Sequence, residues 1–239
     1  MFDCCKWDIQ SEDHSVVADF PLIIEQEEWD SLASYAEKLT QEVLAAESEV
    51  LSRPDLHKIL GLPESIRGVF RKCAAEKIAA SAARVMRFDF HFTPEGWRIS
   101  EVNADVPGGF IEASGFVELM AEYYPGYSIP PNPVKAYEEA IAAAAGEGAV
   151  IGLVHATAHC DDRQVMQYLA KELQRRGMQS IVLSPNHLKW ESGFARIVSS
   201  FAAVKPGLLV RFFPAEWLPN LRPAPSWEPW FCGGKTPPK

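Results

Sequence analysis

The sequence predicts a mixed α/β fold in which helices and one β-hairpin are followed by a small parallel sheet. Three observations carry this. Apolar residues recur at three- and four-residue steps in the first third of the chain, from Trp29 to Val43. Polar and aromatic residues then alternate from Arg87 to Thr93, and the alternation resumes from Trp97 to Asn103 after Pro94-Glu95-Gly96, as in the two strands of a hairpin. Beyond Tyr127, short apolar runs and helical stretches follow one another at the spacing of βαβ units.

Taken in order, Trp29, Leu32, Tyr35, Ala36, Leu39 and Val43 mark one side of an amphipathic packing helix, with Glu25, Glu27 and Glu28 loading its first turn as the helix dipole favours. A short helix over Asp55–Leu60 stops at Gly61, and Pro63 opens another that runs through Phe70, Cys73, Ala74 and Ile78 to about Ala83. The hairpin comes next. Behind it, the tight loop Asp105-Val-Pro-Gly-Gly109 leads into a helix marked by Phe110, Ala113, Phe116, Val117, Met120 and Tyr124. The prolines of Tyr127–Pro133 then break regular structure. Ala149–His155 reads as a buried strand, Asp161–Arg176 as a helix ending at Gly177, Gln179–Leu183 as a second strand and Leu208–Phe213 as a third, which together make a parallel sheet of Rossmann type. The expected organisation is a helical segment with hairpin and helix over residues 1–126, a parallel-sheet unit over 134–222, and an irregular tail over 223–239, rich in proline, tryptophan and glycine.

The hairpin carries the chemistry. A three-residue connection through Pro94-Glu95-Gly96, with glycine in the left-handed region, sets Thr93 opposite Trp97, Asp89 opposite Glu101 and Arg87 opposite Asn103. Two carboxylates that face each other repel, so a positive partner is expected between them. A hard divalent cation suits Asp89, Glu101 and the amide oxygen of Asn103, with phosphate and water completing the shell. Arg87 on the same face adds a planar donor fork for phosphate or carboxylate. The bland alternative is a solvated Arg–carboxylate network, and a structural Ca²⁺ site is a further one. After the hairpin, Gly108 and Gly109 place backbone N–H groups at a helix start, an anion site or simply a turn.

Arg87-x-Asp89, followed twelve residues after the aspartate by Glu101-x-Asn103-x-Asp105 and then by a Pro-Gly-Gly loop and a helix, resembles the circularly permuted ATP-grasp ligases of the glutathionylspermidine synthase type. The resemblance implies a partial ATP-grasp-like α+β core followed by a pre-ATP-grasp sheet. It implies Mg²⁺ held on the ATP phosphates by Asp89, Glu101 and Asn103, Arg87 against the transferring phosphoryl group or the reacting carboxylate, and Asp105 lining the site. The implied activity is ATP- and Mg²⁺-dependent ligation of a small-molecule or peptide carboxylate to an amine through an acyl phosphate. The lysine-bearing strands and lid with which the family grips the nucleotide have no counterpart here, so the resemblance implies a fragment or truncated form of a ligase. A non-catalytic binding or scaffold module is the alternative.

The sheet unit lacks GxGxxG after its first strand, where His155-Ala-Thr-Ala-His-Cys160 stands instead, which argues against a dinucleotide. Asp161 and Asp162 lie beyond that strand's carboxyl end, where open parallel sheets bind ligands. Their expected role is N-capping, with recognition of an amine-bearing substrate as the alternative. Arg211 on the third strand is expected to pair with a neighbouring acid rather than with substrate. His155, His159 and Cys160 have no partner set that would complete a zinc site.

The formal net charge of −9 over 239 residues argues against general nucleic-acid binding. No apolar run is long enough to cross a membrane, and the acids and lysine within the first 20 residues do not make a signal sequence, so the expected location is the cytosol. Five irregularly spaced cysteines point to reduced thiols rather than a disulfide framework.

Overall fold

The computed structural model describes residues 2–7, 10–11, 14–15, 17–73, 84–200, 203–220 and 229–232. They gather into two compact units, one of Leu22–Ala104 and Ala215–Gly233, the other of Met1–Pro21, Asp105–Pro214 and Gly234–Lys239. The chain therefore divides at Ala104/Asp105 and not within 127–133. The helix after the hairpin belongs with the parallel sheet because its Phe110 and Ile111 are buried there, Phe110 stacking on Tyr137 at 5.8 Å between ring centroids.

The first unit holds the helices Gln26–Ser52, Pro54–Ile59 and Glu64–Cys73 and the hairpin strands Arg87–Thr93 and Gly96–Asn103. The expected continuation of the third helix to Ala83 lies outside the described residues, as does most of the tail. Pro229–Cys232, expected to be irregular, forms one helical turn against Glu64–Cys73. Ile66, Val69 and Leu218 are buried in this unit, with His57 satisfied by donating from Nε2 to the Val50 carbonyl at 2.7 Å. The long helix departs from expectation, since none of its residues is buried and Trp29, Tyr35 and Leu44 stay exposed. It meets the hairpin through polar ends: Trp97 Nε1 donates to Glu28 Oε1 at 3.4 Å, and Arg84 Nη2, just before the hairpin, donates to Glu47 Oε1 at 3.2 Å.

The second unit is built on a three-stranded parallel sheet, with Val150–His155 in the centre between Leu208–Phe212 and Gln179–Leu183. All three strands fall where the alternation of short apolar runs and helices predicts them. The central strand is covered on both faces, which is why it reads as an unbroken apolar run rather than an alternating one. The helix Cys160–Arg175 buries Val165, Met166, Leu169 and Leu173, spaced to cover the sheet. A second helix, Pro133–Ala145, was not foreseen. Pro133 sits at its first position and Asn132 caps it, the side chain accepting from the Val134 N–H at 2.9 Å. The sequence reading also missed an antiparallel meander of Leu188–Glu191, Phe194–Val198 and Ala203–Val204. Its first turn, Ser192-Gly193, has φ of 54° and 84°, the two left-handed residues of a type I′ hairpin.

Glu138 is a weak point of this unit. Its carboxyl is buried against Cys160–Arg175, Oε1 has no hydrogen-bond partner among the described residues, and the nearest cation is Arg176 Nη1 at 3.8 Å. Burial, reinforced by the charge of Glu172, raises its pKa above the ordinary carboxylate value. A carboxyl whose folded pKa lies above its unfolded one destabilises the fold once pH passes the folded value, and the penalty disappears as pH falls below the unfolded one. Glu138→Gln is therefore expected to stabilise the unit by about 1 kcal/mol at pH 8, a melting shift of a few degrees. The gain should shrink in melts at pH 4.5, and equal gains at both pH values would reject titration as the cause.

Candidate functional site

The hairpin brings Arg87, Asp89, Glu101 and Asn103 to one face, in the pairing Asp89↔Glu101 and Arg87↔Asn103. It reaches that register by a different route from the expected one. Thr93 pairs with Gly96, and Phe92, not Thr93, faces Trp97, their rings meeting edge to face at 5.2 Å. The connection is thus Pro94-Glu95, while Gly96 keeps the positive φ of 92°. One residue out of phase at the turn, the ladder is corrected by a β-bulge between Asp89 and Phe90, where Ser100 is the extra residue and donates from Oγ to the Asp89 carbonyl at 3.1 Å. Aromatic pairing at the turn and charged pairing at the open end coexist because the bulge takes up Ser100. The signal was present in the sequence, where Ser100-Glu101 sets two polar residues side by side and breaks the alternation.

Arg87 forks Asp89, with Nε donating to Oδ1 at 2.7 Å and Nη2 to Oδ2 at 2.9 Å. That fork holds the Asp89 carboxyl below the usual carboxylate range, so it stays ionised in mild acid. The positive partner that the opposed carboxylates call for is thus supplied to Asp89 by this chain itself. The fork uses two of the five guanidinium N–H donors. Glu101 is exposed and Asn103 half-buried. Two carboxylates and an amide oxygen are the donor types of a hard divalent cation. No group of three His, Cys, Asp or Glu side chains that could hold a metal is present among the described residues.

The other candidates lie in the second unit. Asp105 pairs with Arg211 Nη2, and Arg211 Nη1 donates to the Phe213 carbonyl with its guanidinium 5.7 Å from the Phe213 ring centroid. The pairing of Arg211 with a neighbouring acid is the expected one. Gly108 is half-buried and Gly109 takes φ of 84° before a helix that runs from Phe110 to Ala121, shorter than expected and widened into a π turn at Glu112–Phe116.

Asp161 and Asp162 do not cap their helix. It starts one residue earlier, at Cys160, so His159 is the N-cap, without a side-chain cap bond, and the two acids fall inside the first turn where the dipole favours them. Asp161 instead accepts from Lys6 Nζ at 3.1 Å and from Gln164 Nε2 at 3.3 Å, and Lys6 also reaches Glu112 Oε1 at 3.3 Å. Burial raises the Asp162 pKa. His155 uses Nδ1 to donate to the Ala156 carbonyl at 2.7 Å. Lys6 and Glu112 were not among the sequence candidates. Neither has a local pattern that marks it, since only the tertiary fold joins positions 6, 112 and 161. Among the described residues no helix is long and apolar enough to cross a membrane.

A family model described as glutathionylspermidine synthase preATP-grasp matches residues 5–225. A search of the curated proteins found no match. The matched span takes in the hairpin, the glycine loop and the parallel sheet, and the observed fold, helices with a small parallel sheet, is the one that this description calls for. The chain belongs to the glutathionylspermidine synthase preATP-grasp family, and so to a family of ATP-grasp-related ligases.

Proposed function

We propose that this chain works in an ATP- and Mg²⁺-dependent carboxylate–amine ligase and supplies its cation-binding hairpin. The observation that carries the reading is the hairpin register, which sets Asp89 against Glu101 and Arg87 against Asn103 on one face. Asp89, Glu101 and Asn103 would hold Mg²⁺, which when bound neutralises phosphate charge during phosphoryl transfer. Arg87 keeps Asp89 ionised and retains donors for an anionic substrate group, a role that draws on the geometry of its planar fork. In the reaction class proposed, a carboxylate oxygen attacks the γ-phosphorus as the bond to ADP breaks. An unprotonated amine then attacks the acyl carbon, phosphate leaves, and the nitrogen gives up a proton.

Asp105, Gly108 and Gly109 would border the nucleotide, and the first turn of Cys160–Arg175, with Asp161 and Asp162, would receive the amine. The position supports this, because ligands of open parallel sheets bind beyond the carboxyl ends of the strands. The contact already made there supports it too, since Asp161 holds a primary ammonium. The second reading, a binding or scaffold module without catalysis, is favoured by the Arg87–Asp89 fork, which gives Asp89 a positive partner from within this chain.

Calorimetric titration of the 239-residue chain with a non-hydrolysable ATP analogue separates the two. Binding that requires Mg²⁺ is the expected result. No binding, or binding indifferent to Mg²⁺, favours the scaffold reading.

A further inference from the structure

We propose that the segment Phe2–Trp7 is an autoinhibitory strap whose Lys6 ammonium occupies the amine subsite at the first turn of Cys160–Arg175. The inference rests on the reading of Asp161 and Asp162 as the amine-receiving acids and adds a regulation to it. Lys6 Nζ lies 3.1 Å from Asp161 Oδ1 and 3.3 Å from Glu112 Oε1, and only 13% of its side chain is exposed. A lysine without acidic partners extends its hydrated ammonium into water. This one is drawn between two carboxylates on two different helices, the arrangement that an incoming alkylammonium would need.

The rest of the segment holds Lys6 in place. The Trp7 N–H donates to Gln164 Oε1 at 2.5 Å, and Gln164 is 1% exposed, with its Nε2 turned to the same Asp161 oxygen that Lys6 uses. Lys171 Nζ donates to the Asp3 carbonyl. Cys4 is buried over the π turn, and a Cβ on Gly115 would stand 2.6 Å from Cys4 Sγ and 3.1 Å from Tyr168 Oη, so glycine there makes room for the strap. Desolvation works against the Lys6 charge, but the hydrogen bond to Asp161 and the charge of Glu112 outweigh it and keep the group an ammonium.

The strap is built to release. Its ties are mainly polar contacts that a competing amine and water can replace, Cys4 is its one buried apolar side chain among the described residues, and Trp7 is 44% exposed. An amine that takes the two carboxylates therefore removes the charge that anchors the segment, and the affinity observed for that amine is reduced by the fraction of time the strap is closed.

The test is calorimetry of the full chain with 1,6-diaminohexane as probe. Lys6→Met, of similar length without charge, should bind the diamine at least about tenfold more tightly than the wild type, the factor for a strap closed about nine-tenths of the time. Asp161→Asn in the Lys6→Met background should lose that binding. Trp7→Pro deletes the N–H given to Gln164 but keeps Lys6, and should also tighten diamine binding, which preserves the test if Lys6→Met fails to fold. Equal affinity in wild type and both strap variants, weakened alike by Asp161→Asn, would overturn the strap and leave the amine reading standing. No diamine binding by any form would overturn the amine reading, and the strap with it.

Discussion

Glu101→Ala is expected to lower turnover of a complete ligase carrying this hairpin by at least about 100-fold, and the Mg²⁺-dependent nucleotide affinity of this chain with it, because a carboxylate ligand contributes more than the outer-shell groups whose loss already weakens metal sites 10- to 100-fold. The fold should not suffer. Glu101 is exposed and faces Asp89 across the ladder, so its removal relieves a like-charge pair. Asp89→Ala should be equally harmful to activity but not equally benign to the fold, because it strips Arg87 of both partners of its fork. The contrast separates a ligand role from a structural one. Steady-state assay of both variants beside thermal melts checks it, and wild-type turnover by either would sink the metal assignment.

Leu153→Ala should have the largest effect on stability, about 2–5 kcal/mol, a large share of the roughly 5–15 kcal/mol margin of an ordinary domain. Leu153 is fully buried in the middle of the central strand, paired with Val210 on one side and Val182 on the other, with Ile151 and Val154 also at 0% exposure. The opposite face of the strand is filled as well, since Gly152, which faces it, is overlain by Leu209, whose Cδ2 would lie 2.6 Å from a Cβ placed there. Urea denaturation followed by circular dichroism measures the loss, with Leu119→Ala, at 37% exposure, as the control. A loss below about 1 kcal/mol would show that the sheet is not the core of this unit.

What could be read from the sequence is what local periodicity encodes. The three parallel strands and the helix between the first two are marked by apolar runs bounded by Gly146, Gly148 and Gly177, and the structure places them where those runs fall. The pairing of Asp89 with Glu101 was equally legible. Its mechanism was not, because a turn one residue shorter and a bulge one residue longer leave the same sum, and the aromatic pairing of Phe92 with Trp97 decided between them. The meander of Leu188–Glu191, Phe194–Val198 and Ala203–Val204 has a turn signal in the sequence, Ser192-Gly193 after the alternating Leu188-Lys-Trp-Glu191. The Lys6–Asp161–Glu112 contact had none, since it joins positions 155 and 106 residues apart from Lys6 (161 − 6 and 112 − 6) that only the finished fold brings together.

The bulge at Ser100 has a role separate from register. Trp97, Ile99, Glu101 and Asn103 are all odd-numbered, yet the first two lie with the phenylalanines and the last two with Asp89 and Arg87, so the chain changes sides once, at Ser100. Were that residue absent, Glu101 would follow Ile99 directly and an unbroken ladder would still set it against Asp89. Ser100 is therefore not needed to choose which groups meet. What it adds is the extra twist and bend of the strand, which makes the hairpin a device for aiming: the pairing decides the composition of the acidic face, and one inserted serine decides the direction in which that face looks.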